Sequence, residues 1–228
     1  MQRRQFMSAV TGLALAGSSP VARAQGFSET DAALGVREAL ERGAQAAIRQ
    51  LGRSGGFLDN PKVRIPLPGL LEDAGRLLKA TGQGARVDEL VVAMNRAAEA
   101  AVPEARSLLV STVKSMSIED ARRIVTGGDD SVTRFFSAKT RQPLSVKFLP
   151  IVTRATERVR LADKYNAVAS KAAGLGLVRR EDANLQQYVT GKALDGLYLV
   201  IGEEERKIRR DPVGTGSAIL KKVFGSLR

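Results

Sequence analysis

The sequence predicts an all-α fold, and three observations carry the prediction. Apolar residues recur at the 3.6-residue helical period through most of the chain, strand-type alternation is nearly absent, and the apolar content is mostly Ala, Leu, Val and Ile. With 228 residues and 43% hydrophobic content there is enough apolar side chain for a true core, while 4% aromatics means that aliphatic packing must fill it. The expected architecture is a multi-helix bundle around a long Ala-rich central helix, with one irregular Gly/Pro-rich segment packed across it and residues 25–228 forming a single domain.

The chain opens with MQRRQFMSAVTGLALAGSSPVARAQ. Arg3, Arg4 and Phe6, a modest apolar run from Ala9 to Gly17 and the Ala22-Arg23-Ala24 end resemble a twin-arginine export signal cleaved after Ala24. The apolar run is far shorter than the about 20 residues that span a bilayer, so a signal peptide is expected rather than a membrane anchor. No later stretch approaches that length, and the mature chain is expected to be soluble and periplasmic or secreted.

Ser28 and Asp31 make a capping pair, after which Ala33, Val36, Leu40, Ala44, Ala47 and Leu51 recur at helical spacing. Residues 52–69, GRSGGFLDNPKVRIPLPG, break the period yet carry Phe57, Leu58, Ile65 and Leu67. A solvated linker would not carry such side chains, so the segment is expected to lie extended across the helices; a ligand lid is the alternative. A short helix, LLEDAGRLLKAT, leads into the central one, where Val87, Val91, Met94, Ala98, Ala101, Ala105 and Leu109 share a side and Pro103 should kink or split the run. Ser117 and Asp120 start a short helix that Gly127-Gly128 ends, and Asp129 or Asp130 caps the next, SVTRFFSAKT. Pro143 suits the first turn of a further helix, which Pro150 interrupts or restarts. Helical patterns continue in VTRATERVRLADKYNAVASKAA, from near Asp182 to Asp211-Pro212, and in SAILKKVFGSL.

Composition excludes several chemistries. The chain has no Cys, hence no disulfide, thiolate metal site or cysteine nucleophile, and no His, hence no imidazole base, His-ligated zinc or carboxylate-histidine di-iron site. An enzyme built on it would work with carboxylates, Lys, Tyr, Ser or an oxygen-ligated metal. The formal charge of +12 favours anionic partners, but the basic residues are scattered and lack the interleaved aromatics of a nucleic-acid platform.

The runs GFLDNPKVRIPLP, NRAAEAAVPEA, SIEDARRIVTGGDDSVTRFF and YVTGKALDGLYLVIGEEERKIRRDP resemble a family of exported bacterial proteins known as domain of unknown function 4197. The resemblance covers about Phe27 to Phe224 and departs from it at Asp211, where Asn is expected, and near Gly202, where Ala is expected. It implies a Gram-negative envelope location and brings no biochemical activity.

Several polar groupings stand out. Asn95, Arg96 and Glu99 lie on the central helix, with Arg96 and Glu99 spaced for an intrahelical ion pair. The Gly127-Gly128-Asp129-Asp130 turn with Thr133 and Arg134 would suit an anion at a helix start, but its two aspartates repel one and read better as caps. In the last long helix Leu197, Ile201 and Ile208 mark an apolar stripe, with Glu204 between them and Glu205 and Arg209 at its edge. A carboxylate on such a stripe needs a partner, and the simplest arrangement pairs Glu204 with Arg96, supported by Asn95 and Arg209. Tyr165, Tyr188 and Tyr198 read as core-edge residues whose hydroxyls reach water or a backbone group, and Asp195 as exposed. The expected function is a binding or interaction module, with no cofactor that can be named and a partner that is a protein, a small ligand or an anionic envelope component. The alternatives are an enzyme using Glu99 and Glu204 around a divalent metal, and a basic protein that sits on anionic lipid or polysaccharide.

Overall fold

The computed structural model describes residues 29–82, 84–128, 131–176 and 182–224. Among them all regular structure is helical: α1 (Glu29–Leu51), α2 (Gly69–Ala80), α3 (Gly84–Ala101), a 3-10 turn (Val102–Ala105), α4 (Arg106–Lys114), α5 (Ile118–Thr126), α6 (Ser131–Thr156), α7 (Arg160–Gly174), α8 (Leu185–Arg210) and α9 (Ala218–Phe224). No described helix is long and apolar enough to cross a membrane. The signal-like stretch and the caps assigned to Ser28, Asp129 and Asp130 lie outside the described residues.

The helices close on an aliphatic core. From α1, Ala33, Val36, Leu40, Ala44, Ala47, Ile48 and Leu51 are buried, as their spacing requires. Pro103 sits in the 3-10 turn and splits the expected central helix into α3 and α4. α3 packs against α2, α6, α7 and α8, burying Val87, Leu90, Met94, Ala97, Ala98 and Ala101. Ser117 caps α5 as expected: its side chain accepts the Asp120 N–H at 3.0 Å, and Asp120 reciprocates.

α6 departs from expectation. It runs unbroken through both Pro143 and Pro150. Val132, Phe136, Thr140, Leu144, Phe148, Val152 and Thr156 are all buried, a ridge with one residue every four, while both prolines lie on the exposed side. Each proline removes one intrahelical bond, at a cost of about 3 kcal/mol. The carbonyls so released belong to Lys139 and Val146, both exposed residues, so the loss falls on the solvent side of the helix and not in the core. Burial of the continuous ridge outweighs the two losses.

α8 lies against α1, α3, α6 and α7. Its small residues permit close crossings: a methyl group on Gly196 would stand 2.8 Å from the Phe57 ring, and one on Gly202 would stand 2.7 Å from the Thr133 hydroxyl of α6. Asn184 caps its start, accepting the Gln187 N–H at 3.0 Å. Tyr165 and Tyr188 donate to the backbone carbonyls of Asp182 and Pro66, whereas Tyr198 is fully buried and shares a 2.9 Å bond with the Thr140 hydroxyl. Asp195 is exposed and pairs with Arg141.

Candidate functional site

Residues 52–68 connect α1 to α2 without regular structure. Their start is a tight turn that only glycine permits: Gly55 has φ +82, and a methyl group on Gly56 would stand 2.3 Å from the Leu51 carbonyl. Beyond it Phe57, Val63 and Ile65 are buried, so the segment is packed across the helices, as its apolar residues require. Phe57 fills the notch over Gly196.

The segment is not extended as expected but a series of turns at 54–59 and 61–63. These pair the N–H groups of Gly56, Asp59, Asn60, Val63 and Arg64 but leave those of Phe57, Leu58 and Ile65 without a backbone acceptor among the described residues, and an unpaired buried N–H is costly. α3 supplies the partners. The Glu99 Oε1 accepts the N–H groups of Phe57 and Leu58 at 3.0 and 3.1 Å. One turn earlier, Asn95 Oδ1 accepts the Ile65 N–H at 2.8 Å while its Nδ2 donates to the Ile65 carbonyl at 3.0 Å and to the Val91 carbonyl at 2.8 Å. Asn95 thus meets Ile65 as a neighbouring strand would. Arg96 Nη1 donates to Glu99 Oε2 and to the Ser54 hydroxyl, both at 2.7 Å, tying the turn to the same clamp. Burial pushes the Glu99 carboxyl up, but the N–H bonds from Leu58 and Phe57 and the Arg96 guanidinium outweigh it and hold the group below the ordinary carboxylate range.

The expected pairing of Glu204 with Arg96 is not formed. Glu204 bonds to Lys207 within α8, at 19% side-chain exposure. The buried acid is its neighbour Glu205, 2% exposed and paired with Arg209. Arg209 in turn donates to the Ile124 carbonyl at 2.7 Å and the Val125 carbonyl at 3.4 Å, satisfying the last turn of α5. The reason lies in the stripe: Leu194, Leu197, Tyr198, Ile201, Gly202 and Glu205 are buried in sequence, whereas Ile208 is only partly buried. A stripe drawn through Ile208 is rotated by about one residue and selects the wrong glutamate. Glu99 and Glu204 each bond elsewhere, and among the described residues no group of three acids is placed to hold a metal ion.

The clamp holds one wall of a cleft of about 700 Å³. That wall runs from Arg53 through Gly55 and Asp59 to Lys62; the opposite wall is the end of α8, where Glu203, Arg206, Lys207 and Arg210 recur at i, i+3, i+4 and i+7 on one face. Five of the lining side chains are cationic and two are acidic. Lys62 and Glu203 bond across the cleft at 2.8 Å, whereas Arg53 and Arg210 form no ion pair with any described residue. The sequence carried a trace of this face in the charge run 203–210, but nothing local indicates that it confronts the GRSGG turn more than 140 residues earlier.

Fold and cleft together define an all-helical protein with a cationic surface cavity, built without histidine or cysteine. Residues 26–225 match the model of a family described as protein of unknown function, DUF4197, and the chain belongs to that family. No curated protein and no solved structure matches it.

Proposed function

We propose that the protein is an exported binding module that holds an anionic ligand in the cleft between residues 53–62 and the end of α8. The observation that carries the reading is the pair Arg53 and Arg210: two unpartnered guanidinium groups lining one concavity, on a wall anchored from behind by Glu99, Asn95 and Arg96. The carboxylate-enzyme alternative is weaker, because Glu99 is spent on backbone N–H groups and Glu204 on Lys207. Export rests on Arg3, Arg4, Phe6 and the Ala22-Arg23-Ala24 end, and it puts the ligand in the periplasm or outside the cell.

Calorimetric titration with a panel of small anions of different shape, including sulfate, phosphate and citrate, tests the binding role. At least one should bind in low salt and lose most of its affinity in the Arg53→Gln/Arg210→Gln variant. Equal binding by that variant, or none by the wild type, refutes the reading. For export, a precursor with lysine at both Arg3 and Arg4 should stay in the cytoplasm, and normal periplasmic yield would remove the twin-arginine assignment.

A further inference from the structure

We propose that the anion is a phosphoryl group seated on the turn at residues 53–55; this rests on the reading of the cleft as an anion site and specifies its ligand. Three consecutive residues of the wall, Arg53, Ser54 and Gly55, have backbone N–H groups that meet no acceptor among the described residues. The next N–H groups are all engaged: Gly56 bonds to the Arg53 carbonyl at 2.9 Å, Phe57 and Leu58 to Glu99, and Asp59 to the Gly55 carbonyl at 3.2 Å. The free donors are therefore confined to the stretch beside the unpaired Arg53 side chain. Successive N–H groups at a turn with a left-handed glycine form an anion-binding concavity, and Gly55 supplies that glycine with φ +82.

The donor set chooses among anions. Three N–H groups and two guanidiniums exceed what the two oxygens of one carboxylate can accept, whereas a phosphate monoester offers three terminal oxygens and a charge near −2. At about 700 Å³ the cleft is larger than a phosphate ion, so the ligand is an organic phosphate whose remainder lies along the Arg206 and Lys207 side of α8. Asp59 opposes it: its carboxylate lies against Gly55, only 2.3 Å from where a Cβ on that residue would stand, and it has no partner among the described residues. Removing that charge should tighten the site. Arg96 acts as a positioning residue, holding Ser54 at 2.7 Å without itself lining the cleft.

The test titrates full-length mature protein with glycerol 3-phosphate, with citrate, and with phosphatidylcholine vesicles with and without phosphatidic acid, which presents the same phosphomonoester on a membrane. Glycerol phosphate or phosphatidic acid vesicles should bind, with affinity reduced about tenfold or more by Arg53→Gln/Arg210→Gln and increased by Asp59→Asn. Response to the soluble ester alone marks a small-molecule ligand, and response to vesicles alone marks a lipid headgroup; either supports the phosphoryl assignment. Citrate binding without phosphate binding overturns the inference and leaves the anion-binding role intact, whereas binding by no anion overturns both. Should the double arginine variant fail to fold, Asp59→Asn decides: unchanged or weaker phosphate affinity in that variant overturns the placement on the 53–55 turn.

Discussion

Replacing Glu99 by Gln tests whether the irregular segment is held by charge-assisted bonds from α3. The substitution keeps the side-chain shape and one carbonyl oxygen for the N–H groups of Phe57 and Leu58, but it turns an NH2 group toward the Arg96 guanidinium. A hydrogen bond to a charged acceptor contributes about 1.5–3 kcal/mol against about 1 kcal/mol for a neutral one. Weakening the two bonds, one buried and one partly buried, by about 1 kcal/mol each, with a smaller share for Arg96, whose side chain is 41% exposed, predicts a loss of about 2–3 kcal/mol. Glu99→Ala should cost about 3–5 kcal/mol, because it also leaves the buried Phe57 N–H without an acceptor. Urea unfolding followed by circular dichroism measures both. The pH dependence adds an independent check. Because the folded-state pKa of Glu99 is depressed, its contribution is fully present above the pKa of an unfolded glutamate, about 4.3, and is lost as pH falls through the lower folded value. The gap between wild type and Glu99→Gln should therefore be constant near neutrality and close in acid. A loss below about 1 kcal/mol for Glu99→Gln, with a gap that does not change on acidification, would refute the clamp.

Two further substitutions probe packing and helix register. Phe57→Ala removes a fully buried ring from the notch over Gly196 and should destabilise by about 3 kcal/mol or more in the same unfolding assay; a loss under about 1 kcal/mol would mean that the segment is a mobile lid. Glu205→Gln should cost several times more than Glu204→Gln, because only Glu205 is buried against Arg209 and the end of α5, and equal costs would contradict the register of α8 described above.

The helices were legible because their signals are local. Ser117 and Asp120 announce α5 within three residues, Pro103 breaks α3 from α4, and the spacing of Ala33 to Leu51 defines the buried side of α1. Burial of Phe57 and Ile65 was also legible, since apolar side chains among glycines and prolines have nowhere else to go. α6 was not, because a proline carries a local penalty whatever surrounds it, and only the seven-residue ridge packed beneath shows why the helix survives two of them. On α3, Arg96 and Glu99 form the ion pair that their spacing predicts; Arg96 also reaches the Ser54 hydroxyl instead of a charge on α8, while Asn95 and Glu99 hold backbone groups of residues 57–65.

By itself the sequence determined the helical class, most helix ends, the absence of imidazole and thiol chemistry, and the family. Tertiary structure alone decided which glutamate is buried, what Asn95 and Glu99 hold, and that the GRSGG turn and the basic end of α8 enclose one cleft. Periodicity, caps and glycine turns act within a turn or two of chain, so neighbouring residues suffice to read them. The partner of a charge depends on how two helices cross, and a shift of one residue turns a side chain by about 100° around the axis. Between Glu204, paired with Lys207 in its own helix, and Glu205, buried and joined through Arg209 to α5, that rotation is the whole difference.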